Sequence, residues 1–182
     1  MSDETSWKDV AGTLDVVPAA SRPDLLAEAV RTAGVDLTTF GVAEIDPGQA
    51  DTAAFCATYG VDLAASANCV VVGGKRAGEQ RIAACVVLAT TRADVNGLVK
   101  RTLDVRSASF LPMDDAVVRT GMAHGGITPI GLPDGWRILL DAAVVAAPAV
   151  VVGSGLRRSK VLVSGAVLAA LPGAEVVTGL GR

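Results

Sequence analysis

Residues 68–89 read NCVVVGGKRAGEQRIAACVVLA, and this stretch decides the fold class. Two valine-rich apolar runs, 68–72 and 82–89, flank a polar segment containing Gly74, Lys75, Arg76, Gly78 and Glu79. That pattern reads as strand, loop, strand, a hairpin of antiparallel partners. Upstream the period is helical. Ser21 before Pro23 and Asp24 opens a helix whose apolar positions Leu25, Leu26, Ala29, Val30 and Ala33 keep helical spacing until Gly34. Asp46 as cap, Pro47 at the first helical position and Gln49 in a capping-box pattern start a second helix, which runs through Phe55 and Cys56 towards Gly60. Downstream, 91–103 returns to helix and 114–120 forms a short helix ended by Gly121. Residues 137–140, 149–152 and 159–163 read as strands, and 166–171 as a last helix before Pro172. Strand and helix do not alternate as in a Rossmann domain. The expected fold is therefore α/β (mixed): one domain over 21–182, with a mixed, mostly antiparallel sheet surrounded by helices. Residues 1–20 lack a sustained period and read as an N-terminal extension, either laid over the core or forming an arm.

Composition bounds the function. A chain of 182 residues with 51% hydrophobic content can bury one sizeable core, built mainly from Val, Ala and Leu because aromatic residues make up 3%. Few rings are left on which nucleobases could stack, which disfavours recognition by stacking. The net charge of -3 conceals an asymmetry: residues 1–62 carry three basic and eleven acidic side chains, and the remainder thirteen and eight. The later part is the one suited to a polyanion, although solvated surface charge accounts equally well for any single residue. Cys56, Cys69 and Cys85 sit in apolar segments without a zinc-ligand spacing, and read as small core residues rather than a disulfide or metal set. The acidic start resembles no signal peptide, and the longest uncharged apolar run, 142–152, is too short to span a bilayer. A cytoplasmic protein with no membrane or DNA partner, no metal and no cofactor is expected.

Two glycine turns carry the candidate chemistry. Gly125, Gly126, Ile127, Thr128 and Pro129 combine residues that let a ligand approach the backbone with one that fixes it. Gly153, Ser154 and Gly155 follow a valine run and precede Arg157 and Arg158; this is either a hairpin turn or a set of amides beside positive charge. Neither segment, nor Gly73 to Arg76, has the GK[ST] of a phosphate-binding loop. His124 is the single histidine and has no evident triad partners. Asp114 and Asp115 suit the first turn of a helix.

Over roughly residues 51–177 the chain resembles the YbaK/EbsC family, which includes the prolyl-tRNA-synthetase-associated editing domains. The resemblance rests on three blocks in order: Thr58, Tyr59, Gly60 and Val61 leading into the strand from Asn68; Thr120 and Gly121 before the loop from Gly125 to Pro129, which fits the family's GxxxP substrate loop; and Gly153, Ser154 and Gly155. It implies a trans-acting deacylase that hydrolyses the ester of mischarged tRNA, with backbone amides of the two turns holding the acyl carbonyl and the substrate's ribose hydroxyl assisting. The implied partner is the acceptor end of aminoacyl-tRNA, with or without an aminoacyl-tRNA synthetase. Many members place a lysine where Asn68 stands, and some carry an acidic residue where Lys160 stands. Lys160 is accordingly expected either to reach the pocket and supply the charge that Asn68 lacks, or to be an exposed strand lysine. The alternatives are a non-catalytic amino-acid or aminoacyl-tRNA binding module, and an interaction protein using its acidic first third.

Overall fold

In the computed structural model, which describes residues 4–182, the chain folds into two stacked sheets with helical layers outside them. The first sheet, in the order β1-β2-β8-β7, comprises β1 (Val17–Pro18), β2 (Gly41–Glu44), β7 (Val150–Gly153) and β8 (Ser159–Val163), all antiparallel. The second, in the order β5-β3-β4-β6-β9, comprises β3 (Ala67–Arg76), β4 (Glu79–Leu88), β5 (Ala108–Phe110), β6 (Arg137–Asp141) and β9 (Ala174–Val177); β4–β6 and β6–β9 pair in parallel. The mixed, mostly antiparallel expectation holds, with the sheet divided in two.

The division follows from the side chains. Val161 and Val163 of β8, with Val150 and Val152 of β7, face Val86, Ile138 and Leu140 of the second sheet to make the main core. Leu162 and Val151 face the other way, against Trp7, Phe55 and Ala43. Val72, Cys85, Val87 and Leu139 on the outer face of the second sheet are covered by Val99 and Leu103. The first sheet is thus covered on both faces, which is why β8 is buried at every position.

The hairpin closes more tightly than its sequence suggests. Arg76 pairs with Glu79, so Gly73 to Arg76 belong to β3 and the loop shrinks to Ala77 and Gly78, both at positive φ (50° and 84°), the conformation that matches the strands' twist. The helix α3 (Thr52–Tyr59) ends at Gly60 and α5 (Met113–Thr120) at Gly121, each glycine left-handed as expected.

Three expectations need correction. The helix read over 21–33 is broken into a 3-10 turn, Pro23–Leu25, and a short α2 (Glu28–Arg31). Leu26 is extended, the Ala27 N–H donates to Ser154 O at 3.0 Å and Ser159 Oγ donates to Leu25 O at 2.6 Å, so tertiary bonds override helical period. Asp46 caps a 3-10 turn, Pro47–Gln49, by accepting from Gly48 N–H at 2.8 Å, and α3 starts later, after Asp51. The helix expected from residue 91 begins at Val95 as a π turn, with Asp94 accepting from the Gly97 and Leu98 amides, and continues as α4 (Lys100–Leu103).

The amino-terminal segment is packed. Helix α1 (Glu4–Val10) seats Trp7, 3% exposed, in the core beside Phe55, and β1 pairs with β2. Part of the acidic charge is used internally, since Arg158 reaches both Asp24 and Glu44. Among the described residues no helix is long and apolar enough to cross a membrane.

Candidate active site

The two glycine turns meet. A Cβ on Gly153 would lie 2.5 Å from Gly126 O and 2.8 Å from Ile127 O, and a Cβ on Gly126 would lie 2.7 Å from Leu156 O. Real side chains cannot occupy those positions without displacing backbone, so glycine is what lets the two chain segments touch. Gly155 N–H donates to Gly126 O at 2.7 Å, Gly126 N–H to Ala123 O at 2.9 Å and Ala123 N–H to Gly155 O at 2.8 Å. Ser154 is fully buried beneath this lock, its Oγ 2.7 Å from Ser159 Oγ and accepting from Leu156 N–H.

This locking limits what the turns can offer a ligand. The amides of Gly126 and Gly155 are bonded within the lock, whereas those of Gly125 and Ile127 have no partner among the described residues. Gly125 and Ile127, with Gly153, line a cavity of about 270 Å³ where the edges of β3 and β7 adjoin. Gly126, Ser154 and Gly155 form the framework behind its wall. Thr128 is buried away from the cavity with its Oγ1 unpartnered, and Pro129 lines a separate groove of about 850 Å³.

Asn68 and Lys160 line the same cavity. Lys160 shares its face of β8 with Leu162, the face covered by α3, and so cannot turn to solvent as an exposed strand lysine would. It is 8% exposed; its Nζ donates to Ala50 O at 2.9 Å and stands 5.0 Å from the Phe55 ring centroid. An ammonium has three donors, so two remain uncommitted among the described residues. Burial pulls the Lys160 pKa below its ordinary value; the Arg157 charge adds to that effect and Asp51 opposes it. Asn68 Oδ1 accepts from Thr52 Oγ1 at 2.6 Å, which fixes the amide and leaves its N–H donors for a ligand.

Asp51, Thr52 and Met113, which line the cavity, carried no functional signal in the sequence. Thr52 and Asp51 read there as part of a helix start, yet both line the space. Arg157 lies over Gly125, with Nη1 3.5 Å from Asp51 Oδ1 and donating to His124 O at 3.3 Å. A Cβ on Gly125, at φ 75°, would collide with that guanidinium. Cys69 is in the wall with its thiol pushed well up by burial, which disfavours the thiolate. Met113, 45% exposed, stands at the rim. Lys160, singled out in the sequence as a lysine where some relatives are acidic, is also a cation within the otherwise apolar run of a strand buried on both faces.

Residues 46–171 match the family model described as the aminoacyl-tRNA editing domain. Among solved structures, the fold is similar to that of a proposed trans-editing enzyme for prolyl tRNA synthetase, at 22% identity and TM-score 0.71 over 91% of this chain and 98% of that one. It is also similar to that of a hypothetical protein, at 20% identity and TM-score 0.70 over 85% and 97%. A scaffold used for epitope backbone grafting matches at 22% identity and TM-score 0.71 over 91% and 98%. No curated protein matches the sequence.

Proposed function

Because the chain belongs to the aminoacyl-tRNA editing domain family, we propose that it is a free-standing deacylase that hydrolyses the ester of mischarged tRNA in the cavity where β3 and β7 adjoin. One observation carries this reading: a buried ammonium with open donors shares a small cavity with a fixed amide and two unpartnered backbone N–H groups.

In the reaction, water adds to the acyl carbonyl carbon, the bond to the terminal ribose oxygen breaks, and that oxygen leaves with a proton. Negative charge develops on the carbonyl oxygen, and donors already aimed at it stabilise the transition state more than the ground state. Lys160 Nζ and the Gly125 and Ile127 amides are those donors. Asn68 N–H groups orient the ester or the neighbouring ribose hydroxyl. Burial pushes the Cys69 thiol up, which disfavours it as a nucleophile. A cavity of about 270 Å³ lies below the range of about 300–1,000 Å³ usual for drug-sized ligands, and so suits a small acyl group.

Deacylation of a panel of mischarged tRNAs tests the reading, with turnover expected on at least one that carries a small amino acid. Absence of turnover on every member, with folded protein, overturns the deacylase. The uncharged Asn68, clamped to Thr52, favours one alternative, a module that binds the aminoacyl group without cleaving it. Tight binding of a non-hydrolysable aminoacyl-adenosine with no turnover selects that alternative.

A further inference from the structure

The acyl cavity does not end at Asn68. Asn68 and Val70 also form the wall of a second groove of about 530 Å³ on the outer face of the second sheet. Phe110 lines this groove at 61% exposure, together with Arg92 and Asn96. The register explains the arrangement. Phe110 is opposite Val72 on β3, and residues at intervals of two share a face, so Asn68, Val70, Val72 and the Phe110 ring point to the same side. Four residue steps along β3 separate Asn68 from the ring's position, about 13 Å at the rise of a strand.

Such a ring is unusual in this chain. Trp7, Phe40 and Phe55 are buried in the cores, whereas Phe110 presents most of its surface to solvent. Arg92 is exposed and makes no ion pair among the described residues, while the neighbouring Asp94 is engaged by Arg182 and by two backbone amides. A free aromatic face and a free guanidinium at the end of an apolar trough are the components with which proteins hold a single unpaired nucleotide.

We propose that this groove seats the terminal nucleoside of the acceptor end: the base stacks on Phe110, Asn96 meets its polar edge, Arg92 meets the adjoining phosphate, and the ribose crosses the Asn68 wall to deliver its ester to Lys160. The assignment rests on the aminoacyl-tRNA reading and adds the place where the nucleotide lies. It also qualifies the expectation from composition, since the chain is poor in rings yet exposes one beside the site.

The test is equilibrium binding of adenosine 5′-monophosphate and of ribose 5-phosphate to the full chain, followed by amide NMR shifts. The nucleotide is expected to shift signals around Phe110 and Asn68. Phe110→Ala weakens it about tenfold, Phe110→Trp preserves it, and neither changes ribose 5-phosphate binding. Arg92→Gln weakens both ligands. No detectable nucleotide binding, affinity unchanged in Phe110→Ala, or shifts confined to the groove around Trp136 each overturn the assignment. The readout is independent of turnover. Nucleotide bound at Phe110 without hydrolysis of any mischarged tRNA keeps this assignment and removes the deacylase; hydrolysis with an unchanged KM in Phe110→Ala does the reverse.

Discussion

A small cavity and a wide groove make the sharpest contrast in the molecule. The groove of about 850 Å³, bounded by Pro129, Trp136 and β9, is roughly three times the size of the cavity where β3 and β7 adjoin. The one ion pair in its wall is nevertheless already satisfied, because Arg137 and Glu175 bind each other through two contacts of 2.6 Å, and the remaining carboxylate, Asp134, is exposed to solvent. The small cavity instead holds an ammonium with a single acceptor, a fixed amide and free backbone donors. Reactivity is expected where polar groups are held in place without being satisfied, and volume is a poor guide to it.

Removing the ammonium breaks the contrast most sharply. Lys160→Met keeps the length and the contact with Phe55 but removes the donors, and kcat for deacylation is expected to fall about a hundredfold, the scale of one lost oxyanion donor. Stability should move in the opposite sense at neutral pH, because the variant no longer buries a charge. The pH dependence follows. With its folded pKa below the unfolded 10.5, Lys160 binds fewer protons in the native state across that window, so wild-type stability rises with pH through it and levels off above. The Tm advantage of Lys160→Met is therefore expected to shrink as pH climbs towards 10.5, and a constant difference would show that the side chain is not buried as a cation.

The lock between the turns comes next. Gly153→Ala places a methyl group against Gly126 O and Ile127 O, which must separate the turns or strain them. We expect a loss of about 1–3 kcal/mol in urea unfolding and about a tenfold loss of activity, as the Gly125 and Ile127 amides move. Asn68→Ala should be milder, raising KM several-fold with little change in stability, since its one bond partner, Thr52, lies at the cavity edge. A large fall in kcat in Asn68→Ala with kcat unchanged in Lys160→Met would mean that the amide, not the ammonium, binds the developing charge.

How much of this was legible in the sequence depended on whether local signals decided the outcome. The hairpin was legible because its valine runs and turn residues agree, and the helix ends at Gly60 and Gly121 because one residue conformation fixes them. The meeting of Gly126 with Gly153 was inferable only through family resemblance, and even then the mutual bonding of the two turns was not, since it depends on a register between distant segments. The stretch from Ser21 to Gly34 misled for a physical reason: its period is helical, but Leu25 and Ala27 gain bonds to the Ser154 turn that a continuous helix would forgo. Strands β2, β5 and β9, with three or four residues each, are too short to show a period. Lys160 stood out through the family resemblance alone, and its direction depends on α3 covering that face of β8, a matter of tertiary packing.

The smallest expected effect tests the wide groove. Arg137 and Glu175 lie on adjacent parallel strands, with side chains 38% and 42% exposed, and each holds the other in its charged form: the Arg137 pKa is raised by the hydrogen bond to Glu175, and that of Glu175 is lowered by Arg137. Solvent screening at that exposure limits the pair to about 0.5–1 kcal/mol even with good geometry. Glu175→Gln is therefore expected to lower stability by no more than this above pH 5 and to match wild type in acid, where the wild-type carboxyl is protonated too. Deacylation kinetics should be unchanged in Glu175→Gln and in Arg137→Met. A several-fold rise in KM in either variant would place part of the tRNA in the wide groove, and the satisfied pair would then be a contact that the substrate opens, which reverses the contrast between the two regions.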